Sequence, residues 1–230
     1  MSQDVSHAVV ETSSFLNESP DWEKSLARKP MQLCVKRGID FAASLLALLV
    51  LLPLFVLIAL LIRITSPGPV FFRQKRAGYQ GRDFQMWKFR SMKVQHGEAL
   101  RAAQQSAAGE GRLIKLQQDP RVTRVGRILR ATSLDELPQL FNVLKGEMSL
   151  IGPRPLVLFM LEPYPEFRRT RALIRPGITG LWQIRDRENN TSALAMMKHD
   201  LEYIQRFSLI LDAMILIRTV RVVVSRKGAC

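Results

Sequence analysis

The apolar positions of this chain are concentrated in one place. Phe41 to Ile62, FAASLLALLVLLPLFVLIALLI, runs 22 residues without a charge. As a straight helix it would reach roughly 33 Å, about the thickness of a bilayer's hydrocarbon core. A helix in a soluble core normally carries a polar stripe; this stretch has none, so the pattern predicts membrane embedding. It begins after 40 residues, is too long for a signal peptide and is followed by no small-residue cleavage site. Arg28, Lys29, Lys36 and Arg37 precede it, and Arg63, Arg73, Lys75 and Arg76 follow. Both flanks therefore satisfy the preference of basic residues for the cytoplasmic side. Pro53, mid-segment, removes one backbone bond and can kink the helix. Together these features predict a re-entrant helix that returns to the face it entered. An ordinary kinked transmembrane helix is the alternative, since proline is tolerated there.

Elsewhere the periods are shorter. Residues 1–32 are acidic, Ser- and Pro-containing and without clear periodicity, which predicts a mobile leader. Ser66-Pro-Gly-Pro69 breaks the chain after the apolar helix. Val70 to Phe72 and Phe84 to Phe89, separated by Gly78 and Gly81, predict a hairpin. Met92 to Ala108 reads as an exposed helix, and Val122 to Leu144 as helical with breaks. The turn Gly152-Pro-Arg-Pro155 follows, then a helix over Leu156 to Glu162 and a fixed loop at Arg175-Pro-Gly-Ile-Thr-Gly180. Ser192 to Val224 predicts one or two helices, and the apolar SLILDAMILIRTVRVVV suits either a membrane surface or the domain core. The organisation expected is a leader (1–32), a membrane-embedded re-entrant helix (33–65) and a cytoplasmic catalytic domain (66–228). The fold class expected is α+β, predominantly α-helical, with a small β-hairpin and interfacial amphipathic helices.

Charge narrows the partner. Lys+Arg number 34 against 20 Asp+Glu, a formal +14, while 47% of residues are hydrophobic. Two cysteines and three scattered histidines exclude a disulfide scaffold and a zinc site. The positive charge clusters: residues 63–90 hold seven basic side chains and one acid, 112–130 six and one, 168–187 six and one. Arg154 and Arg175 lie among prolines and glycines, which fix backbone direction, and arginine's planar fork suits phosphate oxygens. Aromatics are only 7% and lie mostly in apolar runs, a poor match to the basic-aromatic interleaving of nucleic-acid binders.

Within this basic surround stands Ser133-Leu-Asp135-Glu136-Leu-Pro138. Ser-x-x-Glu is a capping box, and acids in a first helical turn offset the helix dipole. Pro138 complicates a start at Ser133, and a later start near Asp135 removes the conflict. Either register leaves Asp135 at a helix N-terminus below Arg124, Arg127 and Arg130, ionised and where phosphate would bind. An ionised Asp in an arginine-rich site is the arrangement that forms aspartyl-phosphate intermediates. Glu136 could hold a divalent metal.

The order Lys36-Arg37-x-x-Asp40, Gly68-Pro-Val-Phe-Phe-Arg-Gln74, Trp87-Lys-Phe-Arg-Ser-Met92, Asp119-Pro-Arg-Val-Thr-Arg-Val-Gly126, SLDELPQLFNVLKGEMSLIGPRP (133–155) and RPGITGLWQ (175–183) resembles the bacterial sugar transferase family, the monotopic polyprenyl-phosphate phosphoglycosyl transferases. The resemblance covers about residues 33–228. It implies transfer of a sugar-1-phosphate from a UDP-sugar to undecaprenyl phosphate, releasing UMP, at the cytoplasmic face of the bacterial inner membrane. Asp135 matches the family's nucleophile, which forms a covalent phosphosugar intermediate. Glu136 matches the residue associated with Mg²⁺, so the dyad is also the expected metal site. Lys88, Arg130 and Arg154 match basic residues of the family's active site. Arg90, Arg175 and Arg187 complete the expected substrate-binding set. Membrane lipids are expected partners, downstream glycosyltransferases are possible ones, and nucleic acid is not expected. The family's membrane segment is a re-entrant helix broken at a proline, matching Pro53, although Leu52 stands where relatives often have Ser. At 184–188 Asp186 replaces a glycine. Trp182, the KLQQDPRVTRVG stretch and the ending Arg226-Lys-Gly-Ala are similar to hexose-1-phosphate transferases of exopolysaccharide pathways, which implies galactose or glucose. The altered 184–188 loop keeps open a catalytically inactive membrane scaffold of a polysaccharide assembly complex.

Overall fold

The computed structural model of the chain describes residues 22–93, 119–185 and 193–224. The helix expected over Met92 to Ala108 falls mostly outside them. The chain enters through α1 (Trp22–Ala27), whose Leu26 joins the main core. The last part of the expected leader is therefore folded, because this leucine finds an apolar pocket.

Helices α2 (Pro30–Val50) and α3 (Leu52–Thr65) meet at Leu51 with a bend of 62°. Pro53 lies in the first turn of α3, where its missing N–H has no intrahelical partner to lose. The proline thus ends one helix and begins another. No single helix among the described residues is long and apolar enough to cross a membrane, although the bent pair is by length and composition. Their faces are inverted relative to a soluble helix. The buried residues of α2 are Lys36, Asp40 and Ser44, whereas Ile39, Leu45, Leu46, Leu49 and Val50 are exposed. On α3, Phe55, Ile58 and Ile62 pack against Phe89 and Leu129, while Val56, Leu57, Leu60, Leu61 and Ile64 face outward.

The expected hairpin forms from β1 (Phe71–Arg76) and β2 (Phe84–Phe89), antiparallel, with Phe72 opposite Lys88 and Arg76 opposite Phe84. The first strand runs longer than its apolar start suggests, because Arg73 and Lys75 occupy its outer face and Gln74 and Arg76 its inner one. Next come α4 (Arg124–Ala131), capped by Thr123 accepting from the Gly126 N–H at 2.8 Å, a 3₁₀ turn at Leu134–Glu136, and α5 (Gln139–Lys145). Asn142 of α5, fully buried, docks it on β2: its Oδ1 accepts from the Trp87 N–H and its Nδ2 donates to the Gln85 carbonyl.

Two expectations need correction. Arg175–Gly180 is more than a loop, because β4 (Gly177–Thr179) pairs in parallel with β3 (Ser149–Ile151). The approach is so close that a Cβ on Gly177 would lie 2.1 Å from the Gly152 nitrogen. Leu156 to Glu162 is not a helix but a single 3₁₀ turn, Leu158–Met160. Pro155 and Pro163 bracket the run, and the Leu156 carbonyl accepts from the Ala77 N–H instead of a helical partner. The chain continues through α6 (Pro165–Arg171), α7 (Leu181–Arg185), α8 (Ala193–Arg206) and α9 (Leu209–Val224). The main core lies among these, with Met160, Phe167, Ile204 and Phe207 wholly enclosed.

Candidate active site

The dyad sits on the 3₁₀ turn rather than on a helix start. Ser133 adopts the left-handed region (φ 58°, ψ 14°), makes no capping bond, and turns the chain sharply out of α4. The capping box does not form. In a 3₁₀ turn residues three apart share a face, so Leu134 and Leu137 pack together into the cluster of Phe55 and Phe89. Asp135 and Glu136 are left facing the hairpin. Pro138 then starts α5 without conflict, its φ of −63° already helical. The left-handed serine costs on the order of 1 kcal/mol, and such costs concentrate at functional sites.

Opposite the dyad, β2 presents Lys88 on the face it shares with Phe84 and Met86. Its Nζ donates to Glu136 Oε1 at 2.6 Å and lies 3.9 Å from Asp135 Oδ2. Arg154, from the turn after β3, brings its guanidinium to 3.9 Å from Glu136 and over the Trp182 ring. Arg130, at the end of α4, is close enough to act on the charge of Asp135. Asp135 is 8% exposed. Burial pushes its carboxyl up from the usual range, and Glu136 adds to this, while Lys88, Arg130 and Arg154 pull it back. Simple ionisation at a helix N-terminus is thus replaced by a contest in which the cations oppose desolvation.

Lys88, Arg130 and Arg154 therefore converge with Asp135 and Glu136. Arg90 does not join them: it is buried, and its guanidinium donates to the carbonyls of Pro67 and Ser66, tying β2 to the end of α3. Arg175 donates to the Gly146 carbonyl and stacks on Tyr79. Arg187 lies outside the described residues. Arg76, in the sequence a basic flank of the apolar segment, is not among the expected site residues. It anchors to the Pro155 carbonyl, and burial, then neighbouring Arg154, lowers it to about 9. Its signal was its register, opposite Phe84 on the inward face of the hairpin. No group of three or more His, Cys, Asp or Glu side chains that could hold a metal occurs among the described residues. Two adjacent carboxylates suit an ion such as Mg²⁺, which takes one or two carboxylates and completes its shell with waters and substrate phosphates.

Residues 31–226 match the family model described as bacterial sugar transferase. The chain belongs to the bacterial sugar transferase family. Among its relatives, the exopolysaccharide production protein ExoY of Rhizobium meliloti (strain 1021) is 41% identical over 211 residues, covering 90% of this chain and 93% of that one. The exopolysaccharide production protein PSS of Rhizobium leguminosarum bv. phaseoli is 41% identical, covering 83% and 95%. A UDP-glucose:undecaprenyl-phosphate glucose-1-phosphate transferase of Escherichia coli (strain K12) is 42% identical over 81% of this chain but 39% of its own length. This member of the sugar transferase family thus matches nearly the whole of the two exopolysaccharide proteins and a part of the longer transferase. It is an enzyme of sugar-phosphate transfer.

Proposed function

We propose that this transferase moves a sugar-1-phosphate, a hexose-1-phosphate by its likeness to the glucose-1-phosphate transferase, from a UDP-sugar to undecaprenyl phosphate, starting a surface polysaccharide at the cytoplasmic face of the membrane. The observation that carries this reading is Asp135, buried beside Glu136 and met by Lys88, Arg130 and Arg154. A carboxylate so surrounded is a nucleophile for phosphorus rather than a solvated surface acid. One carboxylate oxygen attacks the β-phosphorus, the bond from β-phosphorus to the bridging oxygen breaks, and UMP leaves with the bonding pair. The lipid phosphate oxygen then attacks the same phosphorus, and the Asp135 carboxylate is restored. Lys88 and Arg154 stabilise charge on the phosphoryl oxygens in both steps. Glu136 and Asp135 would hold Mg²⁺, which when bound neutralises the diphosphate.

The inverted faces of α2 and α3 support a membrane setting, since contiguous exposed apolar surface of that extent is unfavourable in water. The test is nucleotide release from UDP-glucose and UDP-galactose with Mg²⁺, with and without undecaprenyl phosphate. UMP should appear in step with a lipid-linked sugar, and Asp135→Asn should remain membrane-bound with turnover lowered at least about 10³-fold. Release of UDP instead of UMP, or retained turnover in Asp135→Asn, would overturn the mechanism.

A further inference from the structure

Arg154 reaches the site from a turn, Gly152-Pro-Arg-Pro155, that has no helix or strand of its own to hold it. Its neighbours are pinned one by one. The Gly152 N–H donates to Thr179, the Pro153 carbonyl accepts from Gly177, and the Pro155 carbonyl accepts from Arg76. The Arg154 peptide is held by a different pair. Arg171, at the end of α6, donates through Nη2 to the Arg154 carbonyl. Asp200, in the middle of α8, is the carboxylate that holds Arg171 in place. Arg171 Nε and Asp200 Oδ2 lie 2.8 Å apart, with side chains only 6% and 4% exposed.

We propose that Arg171 and Asp200 are positioning residues for Arg154, Arg171 gripping its carbonyl and Asp200 holding Arg171, so that the Arg154 guanidinium enters the site in one direction. A buried ion pair is a poor device for stability alone, because apolar side chains of similar volume often serve as well or better. Here the pair's further hydrogen bond is directed at one residue, the arginine next to Glu136. Arg171 also lies against Phe167 and is fixed from that side. Displacing a group that contacts the reacting phosphates by an ångström or less costs on the order of 10²-fold in rate. The inference rests on the transferase reading above, and its test separates the two.

Wild type, Asp200→Asn, Arg154→Ala and the Arg154→Ala/Asp200→Asn double variant are assayed as full chains in lipid nanodiscs for UMP release. With Arg154 present, Asp200→Asn should lower kcat/KM by at least about tenfold. In the Arg154→Ala background it should add less than about twofold, because the aim of a missing side chain no longer matters. Equal losses in both backgrounds, or no loss in either, would overturn the proposal and leave the pair as ordinary packing. Should Asp200→Asn fail to fold, Arg171→Met/Asp200→Leu keeps the volume without an unpaired charge and enters the same comparison. Hydrogen–deuterium exchange of the turn at 152–155 supplies a readout independent of turnover: slow in wild type, faster in Arg171→Met/Asp200→Leu, which lacks the donor to the Arg154 carbonyl. An unaltered exchange rate would also overturn the proposal. Absence of turnover in wild type would count against the transferase reading, and the exchange measurement would still decide the clamp.

Discussion

Asp200 of α8 is buried against Arg171 of α6, and burial lifts its carboxyl to about 6, against the pull of Arg171. The sign of the consequence follows from linkage. A carboxyl whose folded value lies above its unfolded value binds a proton more tightly in the native state. Stability is therefore greatest below about pH 4 as far as this group is concerned, falls as pH rises through about 6, and is flat above. A rise of about two units corresponds to a change on the order of 3 kcal/mol. Thermal denaturation of wild type at pH 4.5 to 7.5, compared with Asp200→Asn, should show a descending component that the variant lacks. Identical slopes in the two proteins would remove Asp200 as its source. At this scale sequence and structure agree unevenly. Asp135, Glu136, Lys88, Arg130 and Arg154 were legible because they stand in distinctive words of the chain. Arg90 carries the same fork in an equally basic stretch, yet spends it on two carbonyls. Nothing local separates an arginine aimed at substrate from one aimed at its own backbone, and only tertiary placement does.

Helix α2 shows how an element can be read correctly in type and incompletely in role. Lys36 and Arg37 are basic residues flanking an apolar segment, a cue to topology. Both also fasten the helix. Lys36 Nζ donates to Asp212 of α9 at 2.6 Å, the Tyr203 hydroxyl of α8 donates to the same carboxylate at 2.7 Å, and Arg37 donates to the Val143 and Leu144 carbonyls. Asp40 accepts from the Leu150 N–H in β3. Lys36 and Asp40 lie four residues apart, on one face, and that polar face points inward. Tyr203 stands three residues after Asp200, so α8 fastens α2 through one residue, by way of Asp212, and the Arg154 turn through the other, by way of Arg171. Lys36→Met leaves Asp212 buried without its cation and should cost roughly 3–5 kcal/mol. Lys36→Met/Asp212→Asn, which keeps an acceptor for Tyr203 but no charge, should recover most of that. A denaturation midpoint for the double variant as low as for the single one would show that the cation is not what matters. The elements missed had the weakest local signals. Strand β4 is three residues long with a glycine at its start, and the turn bearing the dyad owes its shape to a serine in a conformation that serines rarely adopt.

On the scale of the whole molecule, the proposed membrane setting leaves two ways for the bent pair of helices to meet a bilayer, and length does not separate them. The arms Phe41–Val50 and Leu52–Ile62 are roughly 15 and 16 Å long. Bent by 62°, they would reach roughly 27 Å laid across a membrane, close to the ~30 Å of its hydrocarbon core, or dip roughly 8 Å if both ends stayed on one face. The attachments at the two ends distinguish these cases. Before the apolar arms, Leu26 sits in the main core, Lys29 donates to the Phe207 carbonyl, and Lys36 pairs with Asp212. After them, Arg90 holds the carbonyls of Ser66 and Pro67, and β1 follows at once. Between them, Phe55, Ile58 and Ile62 pack on Phe89 and Leu129 of the same body. A helix pair fastened at both ends to one folded body cannot leave those ends on opposite faces unless that body itself crosses. Exposed Ile210, Met214, Ile217 and Val220 on α9 extend the apolar surface, which fits the proposed membrane setting. Single cysteines at Arg28 and Arg82, in a chain with Cys34 and Cys230 changed to Ser, should therefore both react with an impermeant maleimide from the cytoplasmic side only. Labelling of position 28 from the opposite side, with position 82 still cytoplasmic, would establish a spanning segment and require the Lys36–Asp212 joint to be broken in the membrane.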